Sequence, residues 1–250
     1  MPAAPPGGTA ARVLALPRTD VLLLGEQHDA AEHQQVHREV VEALASQGRL
    51  AALAIEMSDS GRSTAALPRQ ADAATVQAAL AWDDAGWPWA AYGPAVMAAV
   101  RAGVPVLGAN LPRTRMREAM GNARLDDRLP DSALQSQRQA IRTGHCGMLP
   151  DSQIAPMTRI QIARDMTMAD TVAGAAVPGK VVVLLAGSGH VDRQVGVPLH
   201  LPATLTVRSV RLLASADPSA ELPAGFDSVW TTPAVPPRDY CADMKKQMGG

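Results

Sequence analysis

Carboxylate, imidazole and amide side chains stand at the ends of four apolar stretches of the sequence or within a few residues after them. In chain order they are Glu26 and His28, Glu56, Asn110, and His190. Carboxylates and imidazoles are the groups with which proteins most often move protons or hold metal ions. Each one alone could have a structural role, such as pairing with an arginine or capping a helix. Their shared position after apolar stretches instead favours a common ligand site.

The apolar stretches are predicted to be buried strands of a mostly parallel sheet. The predicted strands cover residues 21–24, 50–57, 104–109, 180–186 and 205–212, with a short piece near residue 229. The predicted helices cover residues 30–47, 72–80, 94–102, 112–122, 131–143 and a long segment within 153–176 that begins after Pro156. This alternation predicts an α/β fold with helices on both faces of the sheet. Ligands bind beyond the carboxyl ends of such strands, where the polar residues would meet.

The length and composition fit one globular domain. The chain has 250 residues, of which 47% are apolar. We expect a flexible segment over residues 1–18 and a single domain over 19–250 with a proline-rich tail. The net charge of -1 supplies no basic field, so we expect no nucleic-acid partner. No run of about 20 apolar residues is present, so we expect no transmembrane segment. We also expect no signal peptide and no lipobox within this chain.

The few aromatic residues are concentrated in one place. Aromatic side chains make up 3% of the sequence, and four of them lie close together: Trp82, Trp87, Trp89 and Tyr92. Their flat faces could pack against a planar ligand at the end of the sheet. Alternatively, they could fill a local core or cover the end of the sheet. The sequence leaves both alternatives open.

Two cysteines, Cys146 and Cys241, are too few for a disulfide-rich scaffold or a zinc knuckle. They could form one disulfide if the protein is exported, or remain buried thiols if it is cytosolic. His145 stands beside Cys146, but adjacent residues seldom face each other in a way that would activate a nucleophile.

Two predicted helices carry polar residues at helical spacing. His33 and His37 are four residues apart, so they share a face that could bind a metal, although an exposed polar face is favoured. On the long helix, Arg164 and Asp165 lie beside apolar residues on one face. This arrangement suggests a buried ion pair with another element, such as Glu26 or Glu56.

The ordered set of motifs resembles the ChaN family of haem-binding proteins, within the superfamily that also holds Tiki-type proteases and erythromycin esterases. The matching segments run through nearly the whole chain and include Gly25-Glu26-Gln27-His28-Asp29, His33, 55–57, 89–94, 110–113, 145–147, 161–169, 187–191 and 239–241. The resemblance implies an α/β fold and a bacterial protein of the periplasm or outer membrane, often a lipoprotein. It also implies a role with envelope components of iron uptake.

The resemblance further implies that haem is held by a tyrosine at a homodimer interface. A phenolate oxygen suits ferric haem, and this chain offers Tyr92 and Tyr240. His145 and Arg164 are candidates for binding the haem propionates. Haem binding is the preferred hypothesis.

The related Tiki-type proteins imply a second hypothesis, a metal-dependent hydrolase. A divalent ion would be held by His28, Glu56 and His190, with help from His33 or Glu26. Glu56 or Glu26 would act as the general base on a metal-polarised water. A third interpretation is a buried polar network without a ligand, which a closed rim would favour.

Overall fold

The computed structural model describes residues 8–217 and 221–248. The strands are β1 (Val21–Glu26), β2 (Leu50–Asp59), β3 (Val106–Asn110), β4 (Val181–Gly187), β5 (Val207–Ala214) and β6 (Ser228–Thr232). The helices are α1 (Thr9–Leu14), α2 (Ala31–Ser46), α3 (Ala73–Leu80), α4 (Trp89–Arg101), α5 (Arg113–Gly121), α6 (Asp131–Gly144), α7 (Asp151–Gly174), α8 (Ser188–Val191) and α9 (Tyr240–Met248). Two 3₁₀ helices, Ala123–Arg128 and Val197–His200, complete the structure.

The six strands form one sheet in the order β3-β2-β4-β1-β5-β6, and every pairing between these strands is parallel. This confirms the predicted α/β class. Because β4 lies between β1 and β2, the ends of these three strands are neighbours. Glu26 pairs with Gly187, and Ile55 pairs with Leu185 one residue before Glu56. The sheet itself therefore brings three of the predicted site segments together.

Helices cover both faces of the sheet, as predicted. Leu22 and Leu24 belong to the core beneath α2 and α4, whereas Val21 and Leu23 belong to the core beneath α7. Alternation of side chains along a strand explains this division, since successive residues point to opposite faces. Both faces being covered also explains why the central strands β1, β2 and β4 contain continuous apolar runs.

Two helices begin earlier than predicted, because neither proline acts as a helix start. Helix α4 begins at Trp89 and contains Pro94, and α7 begins at Asp151 and contains Pro156. An internal proline removes one helical hydrogen bond. Buried residues on either side of each proline, such as Tyr92 and Ile154, supply packing that offsets this loss. The placement of Pro94 in a first turn and the helix start after Pro156 are therefore both wrong.

Part of the expected flexible segment over residues 1–18 is helical. Residues 1–7 lie outside the described residues, but α1 covers Thr9–Leu14 and Val13 is fully buried. Burial of this side chain against the core fixes the short helix in place. At the other end, the proline-rich segment leads into α9. In the described parts of the chain, no helix combines the length and hydropathy that crossing a membrane would require.

Candidate functional site

Glu26, at the end of β1, is the centre of a buried hydrogen-bond network. One carboxylate oxygen accepts hydrogen bonds from the Tyr92 hydroxyl at 2.7 Å and from Nδ1 of His28 at 2.6 Å. The other accepts from the Gln34 amide at 2.7 Å. Burial on its own would raise the pKa of the Glu26 carboxyl, but the hydrogen bond from His28 and the charge of His37 lower it below its ordinary value. Glu26 is therefore an ionised carboxylate held inside the protein.

A second buried network joins β2, α7 and the segment after β4. Glu56 accepts a hydrogen bond from the Gly187 amide at 2.8 Å and lies 3.4 Å from Nε2 of His190. On the opposite side of the ring, Nδ1 of His190 donates to Asp165 at 2.5 Å. Burial works against a charged ring, but the charges of Glu56 and Asp165 raise the pKa of His190 to about 10. His190 is therefore an imidazolium at neutral pH.

The pKa values of the two carboxylates in this second network shift in opposite directions, although His190 lowers both. Burial opposes ionisation of Glu56, but the charge of His190 lowers its pKa to about 2. Burial dominates at Asp165 and raises its pKa to about 6, although His190 opposes this shift. Gln161 adds a further contact, since its amide lies 3.1 Å from Nε2 of His190. A doubly protonated ring requires the amide oxygen of Gln161 at this position.

His28 is the histidine of these networks that faces solvent. Its side chain is 43% exposed and packs edge-on against Trp87 with ring centroids 4.9 Å apart. Burial disfavours the charged ring, but the hydrogen bond to Glu26 raises the pKa of His28 above its ordinary value. A methyl group at Gly187 would come within 2.9 Å of Nε2 of His28. Glycine at this position therefore allows the imidazole to lie across the end of β4.

His33 and His37 are buried, so the favoured interpretation of an exposed polar face is wrong. Both side chains are on the inner face of α2. Nδ1 of His33 accepts a hydrogen bond from the backbone amide of Gln27 at 3.0 Å, which fixes the loop after β1. His37 lies 3.6 Å from Glu26 and is fully buried. These histidines support the rim from beneath.

We expect His33→Asn to change how stability depends on pH. Burial and the charge of His37 lower the pKa of His33 to about 4, below its ordinary 6.5. The unfolded chain therefore binds more protons between these values, and the wild type loses stability as the pH falls through them. Asparagine retains an acceptor for the Gln27 amide but does not titrate. Relative to wild type, its free energy of unfolding should rise by about 2 kcal/mol between pH 7 and pH 5.

Urea unfolding of both proteins at the two pH values measures this difference. If the stabilities of the two proteins change in parallel, the pKa of His33 is not lowered in the folded state, which contradicts this prediction.

The aromatic cluster packs against the core instead of lining the cavity at the rim. Trp82 makes an edge contact with Trp89 at 4.9 Å, and Trp87 makes one with Tyr92 at 5.8 Å. Tyr92 is 3% exposed, and its hydrogen bond to Glu26 together with burial raises its pKa well above the ordinary value. Of the two interpretations of this cluster, the geometry favours core packing.

Tyr240, in contrast, lies exposed at the edge of the rim. Tyr240 is 46% exposed, and its hydroxyl donates a hydrogen bond to Asp29. The same hydroxyl accepts a weak hydrogen bond from the side-chain amide of Gln27 at 3.5 Å. The hydrogen bond to Asp29 raises the pKa of Tyr240. A disulfide between Cys146 and Cys241 joins the next residue to the turn after α6, with Cα atoms 5.7 Å apart. Of the two alternatives for the cysteines, the structure shows the disulfide and not two buried thiols.

An open cavity of about 740 Å³ lies over these residues. Its lining includes Glu26, Gln27, His28, Asp29, Glu56, Gln161, Arg164, Gly187, Ser188, Gly189, His190 and Tyr240. The volume is within the range of small-molecule sites. Arg164 is half-buried, and its Nε atom is buried without a hydrogen-bond partner. The open rim does not fit the interpretation of a closed network without a ligand.

The sequence matches a protein family described as haem-binding uptake, Tiki superfamily, ChaN, over residues 13–201. This match spans more than half of the chain. The chain belongs to the ChaN family. No curated protein matches the sequence.

Two solved structures are similar to this ChaN family member. The first, titled "Cofacial heme binding to ChaN of Campylobacter jejuni", is 25% identical with a TM-score of 0.68, covering 83% of this chain and 87% of that chain. The second, the type III effector HopBA1, is 16% identical with a TM-score of 0.53, covering 92% of this chain and 96% of that chain. The likeness to HopBA1 concerns the fold alone.

The predicted metal site gains no support in this ChaN family member. Across residues 8–217 and 221–248, no group of three or more His, Cys, Asp or Glu side chains could hold a metal ion. His28, Glu56 and His190 do meet at the rim, but as partners of neighbouring protein groups. His33 turns its Nδ1 towards the Gln27 amide.

The remaining predicted ligand residues are placed differently. Arg164 lines the cavity, whereas Nδ1 of His145 donates to the Ile141 carbonyl at 2.8 Å and His145 does not line the cavity. The expected ion pair between Arg164 and Glu26 or Glu56 is absent from the described residues. Instead it is Asp165 on the same helix that pairs with the rim, through His190. The four-residue spacing of Gln161 and Asp165 was the signal for these two partners of His190, since it places them on one face of α7.

Proposed function

We propose that this protein binds haem at the carboxyl edge of its sheet, with Tyr240 as the ligand of ferric iron. The observation that carries this proposal is the exposed phenol of Tyr240 at the edge of the cavity. Haem would supply a ferric iron, which the phenolate oxygen of Tyr240 could coordinate. Tyr92 is a poorer candidate, because its hydroxyl is buried and donates to Glu26.

The residues at the rim fit the polar parts of haem. Arg164 offers a guanidinium with an unpaired buried nitrogen, which suits a propionate carboxylate. His28 lines the same cavity and presents a partly exposed imidazole. Membership of the ChaN family adds independent support for haem as the ligand.

A homodimer would complete the site. The cavity at the rim is open to solvent, so one chain alone would leave part of the apolar porphyrin face uncovered. A second copy, facing the first across the rim, would bury that face. Cofacial haem binding is described for the related ChaN of Campylobacter jejuni. Sedimentation of the protein with and without hemin tests this part: a monomer in both conditions contradicts it.

We also propose that the protein works in an oxidising compartment, the periplasm or the outer membrane, with envelope components of iron uptake. The disulfide supports this location, because disulfides persist in oxidising compartments and are rare in the bacterial cytosol. Fractionation of cells that produce the protein from its own gene tests the location. Recovery of the protein only in the cytosolic fraction, with free thiols, contradicts it.

Titration of the purified protein with hemin tests the proposed function. Binding should produce a saturable shift of the Soret band with a fixed ratio of haem to protein. A linear, unsaturable increase in absorbance, equal to that of hemin with an unrelated protein of similar charge, would contradict haem binding.

Arg164→Ala is expected to weaken hemin binding about tenfold. Charge-assisted hydrogen bonds are worth about 1.5–3 kcal/mol, and the partial exposure of Arg164 places its contribution near the lower end. Hemin dimethyl ester lacks the propionate charges, so it should bind wild type and variant equally. An equal loss for both ligands would show that Arg164 acts by some means other than pairing with a propionate.

A further inference from the structure

The segment that carries Tyr240 makes few contacts with the rest of the protein. Residues 233–239 have no regular secondary structure, and residues 233–246 contain no buried side chain. Within the part of the chain that the structure describes, the hydrogen bonds from this segment to the rest of the protein are those of Tyr240 with Asp29 and Gln27. Such exposed hydrogen bonds contribute little on their own.

The disulfide attaches this segment covalently, and its other end lies in a hydrogen-bonded turn. Cys146 lies in the turn between α6 and α7, where its amide donates to Thr143 and the Gly147 amide donates to Arg142, both at 2.9 Å. The backbone of Cys146 has a φ of 57°, which is unfavourable for a residue with a side chain. Cys146 therefore has a backbone conformation that costs free energy at the position where its side chain bonds to Cys241.

We propose that the Cys146–Cys241 disulfide is a positioning device that holds the Tyr240 phenol over the rim cavity. This inference rests on the proposed function, since it concerns the tyrosine that would ligate haem. Cys241 immediately follows Tyr240, so the covalent link restricts the phenol to a small volume beside Asp29. With the link broken, the exposed segment is free to move away. Its local concentration at the rim then falls, and iron binding weakens with it.

The Cys146→Ser/Cys241→Ser variant tests the proposal. The chain has only two cysteines, so this variant leaves no thiol that could ligate iron in place of tyrosine. Hemin affinity should fall about tenfold or more, towards the value of Tyr240→Phe with the disulfide intact. Hydrogen exchange of residues 238–246 should become faster, while exchange in the strands stays unchanged.

A second variant keeps the disulfide and changes only its distance from the tyrosine. Insertion of Gly-Ser-Gly between Tyr240 and Cys241 should also weaken hemin binding. The same insertion between Lys245 and Lys246 is the matched control and should bind like wild type. This pair of insertions decides the question if the serine variant fails to fold.

Hemin affinity and exchange in the serine variant equal to wild type would overturn the proposal, as would equal effects of the two insertions. If wild type takes up no hemin, the proposed function fails, and exchange alone then decides the positioning role. Faster exchange in the serine variant upholds that role, and unchanged exchange overturns it.

Discussion

Tyr240→Phe is expected to weaken hemin binding by about 100-fold or more, which corresponds to about 3 kcal/mol. Removing a group that only supports a metal ligand costs roughly 10- to 100-fold in affinity, so removing the ligand itself should cost at least the upper end. Phenylalanine retains the ring over which the Arg238 guanidinium lies at 5.4 Å. The change therefore removes the hydroxyl and little else. Titration followed at the Soret band measures the dissociation constant.

Tyr92→Phe is the matched control for this substitution. Its hydroxyl donates to Glu26 in the interior, so hemin affinity should stay within about threefold of wild type. Its free energy of unfolding should fall by about 1.5–3 kcal/mol, because a hydrogen bond to a buried charge is lost. A large loss of affinity in Tyr92→Phe with none in Tyr240→Phe would identify Tyr92 as the iron ligand and contradict the assignment to Tyr240.

Asp165→Asn is expected to lower the free energy of unfolding by about 3 kcal/mol at pH 7. His190 is held as an imidazolium between Asp165 and Glu56, and all three side chains are buried. Removing one partner of a buried ion pair costs roughly 3–5 kcal/mol, and asparagine recovers part of this by accepting the Nδ1 hydrogen. Thermal or urea unfolding measures the loss. An NMR titration should also show the pKa of His190 falling.

Asp170→Asn, on the exposed face of the same helix, provides the comparison. A surface substitution of this kind should change stability by no more than about 0.5 kcal/mol. Equal effects of the two substitutions would contradict the assignment of a charged His190 network beneath the rim.

The position of the rim could be predicted from the sequence because a parallel sheet imposes it. An uninterrupted apolar run such as 181–185 identifies a strand covered on both faces, and the polar residue after it must lie at the carboxyl edge. This logic correctly gathered Glu26, Glu56 and His190. It uses strand direction alone, so it could not reveal which carboxylate pairs with which histidine.

The other features depend on tertiary packing, which local pattern does not encode. His33 and His37 are polar at helical spacing, and an exposed face is the ordinary outcome. They are buried because Glu26 and the Gln27 amide provide polar contacts beneath the rim. Likewise, the pairing of Cys146 with Cys241 requires that two segments 95 residues apart meet, and nothing local to either cysteine specifies this.

The most direct test of tyrosine ligation uses the Tyr92→Phe protein, in which Tyr240 is the sole tyrosine because the chain has two. Its ferric haem complex would be examined by resonance Raman spectroscopy with ordinary and with ring-deuterated tyrosine. The account predicts iron–phenolate bands that shift with the label and disappear in the further variant Tyr240→Phe. A haem complex with no label-sensitive bands would contradict it.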